Sequence, residues 1–237
     1  MDLQTIHYEV GGKSFTGYMA DGSNGRRAPG ILVAHEGGGM TAHPKDRAVR
    51  LAALGYVAFA LDLFGEENQA LEKAKAVVQE LRADRALLRL RMHAAHDMLK
   101  ANTHVDSDKT AAIGFCIGGM AVLELARSGA DIAGVVGFHA ALDTPAPQDA
   151  KNITGKILVC LGVDDPIVTP DQRRAFEIEM SDAGVDWQMQ LFGGAGHSFT
   201  NPEIDAWNFP GFAYHADSDR RSWSAMCDFL NEVFSQA

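Results

Sequence analysis

The 237-residue chain reads as a doubly wound α/β fold, a mostly parallel sheet with helices on both faces. Three observations predict it. Short apolar runs bounded by glycine or charge recur along the sequence, longer amphipathic stretches at helical spacing lie between them, and the two kinds alternate.

In chain order, Thr5 to Val10 and Ser14 to Met19 flank Gly11-Gly12 and read as a hairpin that adds antiparallel strands at one sheet edge. Ile31 to Ala34, Tyr56 to Leu61, Thr110 to Phe115, Ile132 to Phe138, Ile157 to Leu161 and Trp187 to Phe192 are too short and too apolar for surface helices and read as strands. Helices are predicted over Lys45 to Leu54, Leu71 to Lys100, Met120 to Arg127, Pro170 to Ala183 and Asp219 to Phe234. Glu66 to Lys100 is rich in Ala, Leu, Arg and Glu without proline, so it forms one long helix or two with a break at an unspecified point. Thr200 to Tyr214 carries Asn201-Pro202, Pro210-Gly211 and the large aromatics Trp207, Phe209 and Phe212; it reads as an ordered loop rather than a linker. With no linker or repeat, residues 1–237 are expected to form one domain.

Composition narrows the classes. With 46% hydrophobic and 22% charged residues, and no run approaching the roughly 20 apolar residues of a membrane span, a soluble globular protein is expected. The formal charge of -10, without a basic stripe, opposes nucleic-acid binding. Met1 to His7 has neither the basic nor the apolar region of a secretory signal, which points to the cytoplasm. Cys116, Cys160 and Cys227 are odd in number and lack CxxC spacing, so neither a disulfide framework nor a structural zinc site is expected.

Cys116 lies in Gly114-Phe115-Cys116-Ile117-Gly118-Gly119, after a predicted strand and before a predicted helix. A nucleophile on so sharp a turn needs glycine two positions to either side, where side chains would collide with neighbouring backbone. The following helix also sets its unpaired N–H groups and positive dipole end beside the sulfur, favouring thiolate. On these six residues alone, a buried core thiol explains the pattern equally well.

An elbow nucleophile in this kind of sheet takes an acid and then a histidine from later strand ends. Asp164-Asp165 follow the strand Ile157 to Leu161, and His197 follows Trp187 to Phe192 through Gly193-Gly194-Ala195-Gly196. Asp165, three residues after Gly162 and directly before Pro166, is preferred to Asp164, with turn or helix capping as the competing role. For His197 the competing reading is a solvent-exposed loop histidine. Three groups in the required order, each behind a predicted strand, favour the catalytic reading. His35-Glu36-Gly37-Gly38-Gly39, behind Ile31 to Ala34, can supply one oxyanion N–H to join that of Ile117, unless it is simply a flexible turn. The histidines form no HExxH zinc pattern: His35 and His43 fall on a loop, while His93 and His96, three apart on a helix, are expected to face solvent. This chemistry requires no metal or organic cofactor.

Taken together, His35 to Gly39, Gly114 to Gly119, Gly162 to Val168 and Gly196-His197-Ser198-Phe199-Thr200-Asn201-Pro202 make the sequence resemble the dienelactone hydrolase family of α/β-hydrolases over nearly its whole length; Tyr214 to Ala216 and Trp223 add to the likeness. The resemblance implies an α/β-hydrolase fold, a triad of Cys116, His197 and Asp165, oxyanion amides from Ile117 and Gly37, and a small-molecule ester or lactone substrate. It also implies that Glu36 contacts the thiol in the resting enzyme, opposing its ionisation and oxidation until substrate moves the carboxylate. A salt bridge from Glu36 to one of the arginines between Arg82 and Arg91 is the competing role. Ser198 and Asn201, within the histidine segment, are candidates for substrate contact.

The sequence departs from the family at one point. The best-known members bind a substrate carboxylate with two arginines, one of them four residues after the catalytic histidine, and here that position is Asn201. Arg82, Arg85, Arg89 and Arg91 offer no unambiguous second. A neutral or less acidic ester or lactone is therefore a strong competitor to the dienelactone itself. Two further readings stand beside it: a general short-chain carboxylesterase that does not act on dienelactones, and a non-catalytic, hydrolase-like binding scaffold with Cys116 as a redox-sensing thiol. Cys160 and Cys227 are read as buried core thiols.

Overall fold

The computed structural model describes residues 2–65 and 71–235. Eight strands, β1 (Leu3–Val10), β2 (Lys13–Asp21), β3 (Ala28–Ala34), β4 (Val57–Leu61), β5 (Val105–Phe115), β6 (Gly134–Phe138), β7 (Lys156–Gly162) and β8 (Trp187–Phe192), form one sheet in the order β1-β2-β4-β3-β5-β6-β7-β8. The expected edge hairpin is present: β1 and β2 pair antiparallel through Val10 and Lys13, β2 runs antiparallel to β4, and the remaining pairs are parallel.

Side chains alternate across a strand, so each central strand feeds two cores. Ile31 and Val33 of β3, Ala58 and Ala60 of β4, and Val136 and Phe138 of β6 pack on one face under α1 (Ala42–Ala53) and α6 (Ala216–Ser235). Leu32, Ala34, Phe59, Leu61 and Val135 face the other side, covered by α3 (Arg85–Lys100), α4 (Ile117–Arg127) and α5 (Pro170–Asp182). With both faces covered, the strands read as continuous apolar runs rather than alternating ones.

The helical region before Lys100 is two helices, α2 (Leu71–Ala83) and α3. Asp84 makes the break: its backbone leaves the helical region at φ -110°, ψ 87°, and its Oδ1 accepts the Leu87 N–H at 2.9 Å as the N-cap of α3. Residues 66–70, where the helix-rich stretch begins, lie outside the described residues.

Several expectations change. His93 and His96 do not face solvent. α3 is flanked by α4 as well as by the sheet, so His96 is buried against Thr110 Oγ1 at 2.9 Å and His93 is half-buried against Ser128 Oγ at 2.8 Å. His43 belongs to α1 rather than a loop and is buried. Cys160 is a core thiol, whereas Cys227 on α6 is half-buried. No helix among the described residues is long and apolar enough to cross a membrane.

All of α4 is buried, including Glu124 and Arg127. Arg127 donates to both oxygens of Glu179, at 2.7 and 2.8 Å, and to Glu124 at 3.1 Å, while Arg89 holds the other Glu124 oxygen. A buried charge with every partner in place is tolerated, and removing one partner typically costs about 3–5 kcal/mol. These ion pairs anchor the C-terminal turn of the helix behind the Cys116 turn. Asp84→Ala should destabilise the protein by about 1 kcal/mol through loss of the α3 cap, measured as a lower urea midpoint at unchanged slope.

Candidate active site

The loops leaving β3, β5, β6, β7 and β8 open on one rim of the sheet, and they carry the candidate residues. Cys116, at the junction of β5 and α4, adopts φ 53°, ψ -114°, a conformation rarely held by non-glycine residues. Close backbone approach explains the flanking glycines: a Cβ on Gly118 would stand 2.3 Å from the Ala34 carbonyl oxygen, and one on Gly114 would stand 2.1 Å from that of Gly118. The Cys116 N–H is held by the Phe138 carbonyl at 3.0 Å. Cys116 occupies the N-cap of α4 without capping it, so the first amides of that helix stay available. Among the described residues, neither the Ile117 nor the Gly37 amide has a hydrogen-bond acceptor, as an oxyanion site requires.

His197 is buried rather than solvent-exposed. Its Nδ1 donates to Asp165 Oδ2 at 2.8 Å, and Asp165 Oδ1 accepts the N–H groups of Ile167 and Val168 at 2.7 and 3.1 Å, which orients the carboxylate. Asp164, by contrast, is exposed. Burial pushes the imidazole toward neutrality, but the charge and close approach of Cys116 and the Asp165 hydrogen bond outweigh it and raise its pKa from 6.5 to about 10.

Glu36 is also at the site, with different neighbours from those expected. Ser198 Oγ donates to its Oε2 at 3.0 Å and Asn201 Nδ2 to its Oε1. His43 Nδ1 stands 3.3 Å from Oε1, too poorly aligned for a hydrogen bond and therefore an electrostatic contact. No hydrogen bond among the described residues joins Glu36 to the sulfur, and its partners are not the arginines of α2 and α3. Burial by itself would raise its pKa; the approach of His43, the Ser198 hydroxyl and the charge on His197 together hold it below the usual carboxylate value.

Arg82 and Arg85 bind Asp143, Arg89 binds Glu124 and Asp149, and Arg91 binds the Leu63 carbonyl. Ser198 and Asn201 line the cleft as expected, but their donors are directed to Glu36, and Asn201 Oδ1 also accepts the Glu203 N–H at 2.9 Å. The cleft opens over Cys116 and is walled by Trp207, Phe209 and Phe212, with no arginine or lysine in its described lining. The loop from Thr200 to Tyr214 is ordered, with a short 3-10 helix at Pro202–Trp207, and Phe212 packs edge-on against His197 at 4.7 Å between centroids.

Three residues take roles that the sequence reading missed. His35 Nε2 accepts the Leu63 N–H at 2.9 Å, so Nδ1 is its donor to the Glu36 carbonyl at 2.8 Å, bracing the glycine loop. Arg47 reaches His43, the Thr200 carbonyl and Asp219. His139, immediately after β6, lies with its ring 5.3 Å from that of His197. His35 and His139 each left a sequence signal, a position directly behind a predicted strand.

An eight-stranded, mostly parallel sheet with a cysteine on a glycine-flanked turn and an acid and histidine from later strand ends defines an α/β-hydrolase. The chain belongs to the dienelactone hydrolase family, whose sequence profile matches residues 15–234, and it is a hydrolase enzyme. It is similar to a solved protein called m3DLH, 42% identical with a TM-score of 0.93 and 98% of each chain covered. A dienelactone hydrolase-like promiscuous phosphotriesterase from metagenomic libraries is 39% identical, with a TM-score of 0.92 and 98% of each chain covered. A Bradyrhizobium sp protein named "Probable 2-oxo-3-(5-oxofuran-2-ylidene)propanoate lactonase" is 29% identical over 86% of this chain and 87% of its own.

Because the His197 pKa in the folded protein exceeds its ordinary value, the protonated ring adds stability in full below about pH 6.5 and loses it as pH rises through about 10. In Cys116→Ala the largest raising influence is gone, so the His197 ring, followed by NMR, should titrate well below 10. A titration unchanged by the substitution would assign the shift to Asp165 alone.

Proposed function

We propose that the protein hydrolyses neutral carboxylic esters or lactones through a Cys116-His197-Asp165 triad. The observation that carries this is a buried His197 bonded to Asp165 and close enough to Cys116 for the sulfur's charge to raise its pKa, beneath a cleft that opens over that sulfur.

Cys116 thiolate attacks the carbonyl carbon, and the oxygen that becomes negative is held by the amides of Ile117 and Gly37, each such donor typically contributing about 3 kcal/mol to the barrier reduction. His197 imidazolium gives its proton to the departing alkoxide or enolate, leaving a thioester on Cys116. Neutral His197 then takes a proton from water, hydroxide adds to the thioester carbonyl, and collapse releases the acid and regenerates the thiolate. Asp165 keeps Nδ1 as the donor side of the ring and stabilises its charged form.

Charge in the cleft selects the substrate class. Glu36 is ionised at the cleft wall and no cation lines it among the described residues. A substrate carboxylate within about 4 Å of Glu36 would meet a repulsion on the order of 4 kcal/mol at an effective dielectric of about 20, more than the roughly 1 kcal/mol of an ordinary hydrogen bond. The aromatic wall suits an aryl or alkyl substituent instead. The phosphotriesterase relative supports neutral-ester chemistry on this scaffold, and the lactonase relative supports lactone chemistry, the substrate in its name being a carboxylate.

Cys116→Ala should abolish turnover of a neutral aryl ester while leaving the melting temperature within a few degrees; retained turnover would remove Cys116 from the mechanism. A carboxylate-bearing dienelactone should show a kcat/KM lower by about 10-fold or more than a neutral lactone of equal size. The reverse order would overturn the neutral substrate class.

A further inference from the structure

We infer that His139 is a positioning residue that holds His197 in register with Cys116, acting through Thr200; this rests on the triad proposed for hydrolysis. Two consecutive residues at the end of β6 grip the two halves of the pair. The Phe138 carbonyl accepts the Cys116 N–H at 3.0 Å. The next side chain, His139, shares a hydrogen bond from Nε2 with Thr200 Oγ1 at 2.9 Å and sets its ring edge-on to His197, 5.3 Å between centroids. The Thr200 carbonyl is held in turn by Arg47 at 2.6 Å. The segment from His197 to Thr200 is therefore tied by its far end to the strand that holds the Cys116 turn.

The site bears a cost that simple packing does not explain. His139 has φ 38°, outside the regions that side chains favour, and its buried Nδ1 has no partner among the described residues. Phenylalanine would fill the same space beside Phe115 and Phe199 without that orphaned nitrogen. What phenylalanine cannot supply is the bond to Thr200. His139 is also kept neutral, by burial first and then by the neighbouring charges of His197, His43 and Arg47, so it adds no positive charge beside His197. The other groups facing His197 are Cys116 from the turn after β5, Asp165 from the loop after β7, and Glu36 from the loop after β3.

The test compares His139→Phe, Thr200→Val and the double variant in the full-length protein. The readouts are kcat and KM for a neutral aryl ester, the basic limb of the pH-rate profile, and the pH dependence of Cys116 alkylation by iodoacetamide. Each single variant should lose about 10- to 100-fold in kcat with KM within about twofold; the basic limb of the rate profile should move to lower pH because a loosened pair raises His197 less, and the rise of alkylation should move to higher pH because a loosened imidazolium supports the thiolate less. Sharing one bond, the two substitutions should not multiply in the double variant. His139→Gln, whose amide can still reach Thr200, should recover part of the loss.

Unchanged kcat and limbs, multiplied losses in the double variant, or a change confined to melting temperature would overturn the assignment. If His139→Phe does not fold, Thr200→Val decides by the same criteria. The alkylation profile reports on the pair without turnover, so it tests His139 even if the hydrolytic reading, tested by Cys116→Ala, fails.

Discussion

The backbone turn at Cys116 is the constraint on which the rest of the site depends. A non-glycine residue in that conformation costs on the order of 1–3 kcal/mol and persists only where the surroundings over-determine it. Here they do. The Cys116 amide is bonded to β6, α4 is buried along its whole length, and Gly118 lies directly against the carbonyls of Ala34 and His35. Those contacts bring the ends of β3, β5 and β6 to one point, which fixes the glycine loop, the sulfur and His139 relative to one another.

Around that point the charges fall into two hydrogen-bonded sets, linked by the charge of His197 acting on Glu36. Asp165 is held by two backbone amides and faces His197, which faces Cys116. Glu36 is satisfied separately by Ser198, Asn201 and the nearby His43. Arg47, a buried cation beside this second set, is spent on the Thr200 carbonyl, Asp219 and His43. None of the described residues lining the cleft over Cys116 is positively charged, and Asn201 contributes neutral polarity there. The same side chain also fastens Glu36 in place.

The aromatic loop after β8 joins the two sets to the surface. His197 and Phe212 pair as a short bridge, with the His197 N–H on the Gly211 carbonyl at 2.8 Å, so the loop that walls the cleft also carries the histidine. The shape of the cleft and the position of the His197 ring are therefore mechanically connected. A loop anchored only by its ends would leave the ring free to turn from the sulfur.

The strand and helix order, the edge hairpin, the glycine-flanked cysteine and the succession Cys116, Asp165, His197 were all legible in the sequence. They depend on short-range sterics and on periods of two and 3.6 residues, which neighbouring residues express by themselves. The break at Asp84 could have been read from its capping chemistry but competed with an uninterrupted helical composition. The sequence alone could not choose partners for Glu36, bury His96, turn Asn201 inward or set His139 beside His197. Each of those depends on side chains distant in the chain meeting in a low-dielectric interior, where the available donors and the space between packed elements decide which pair forms.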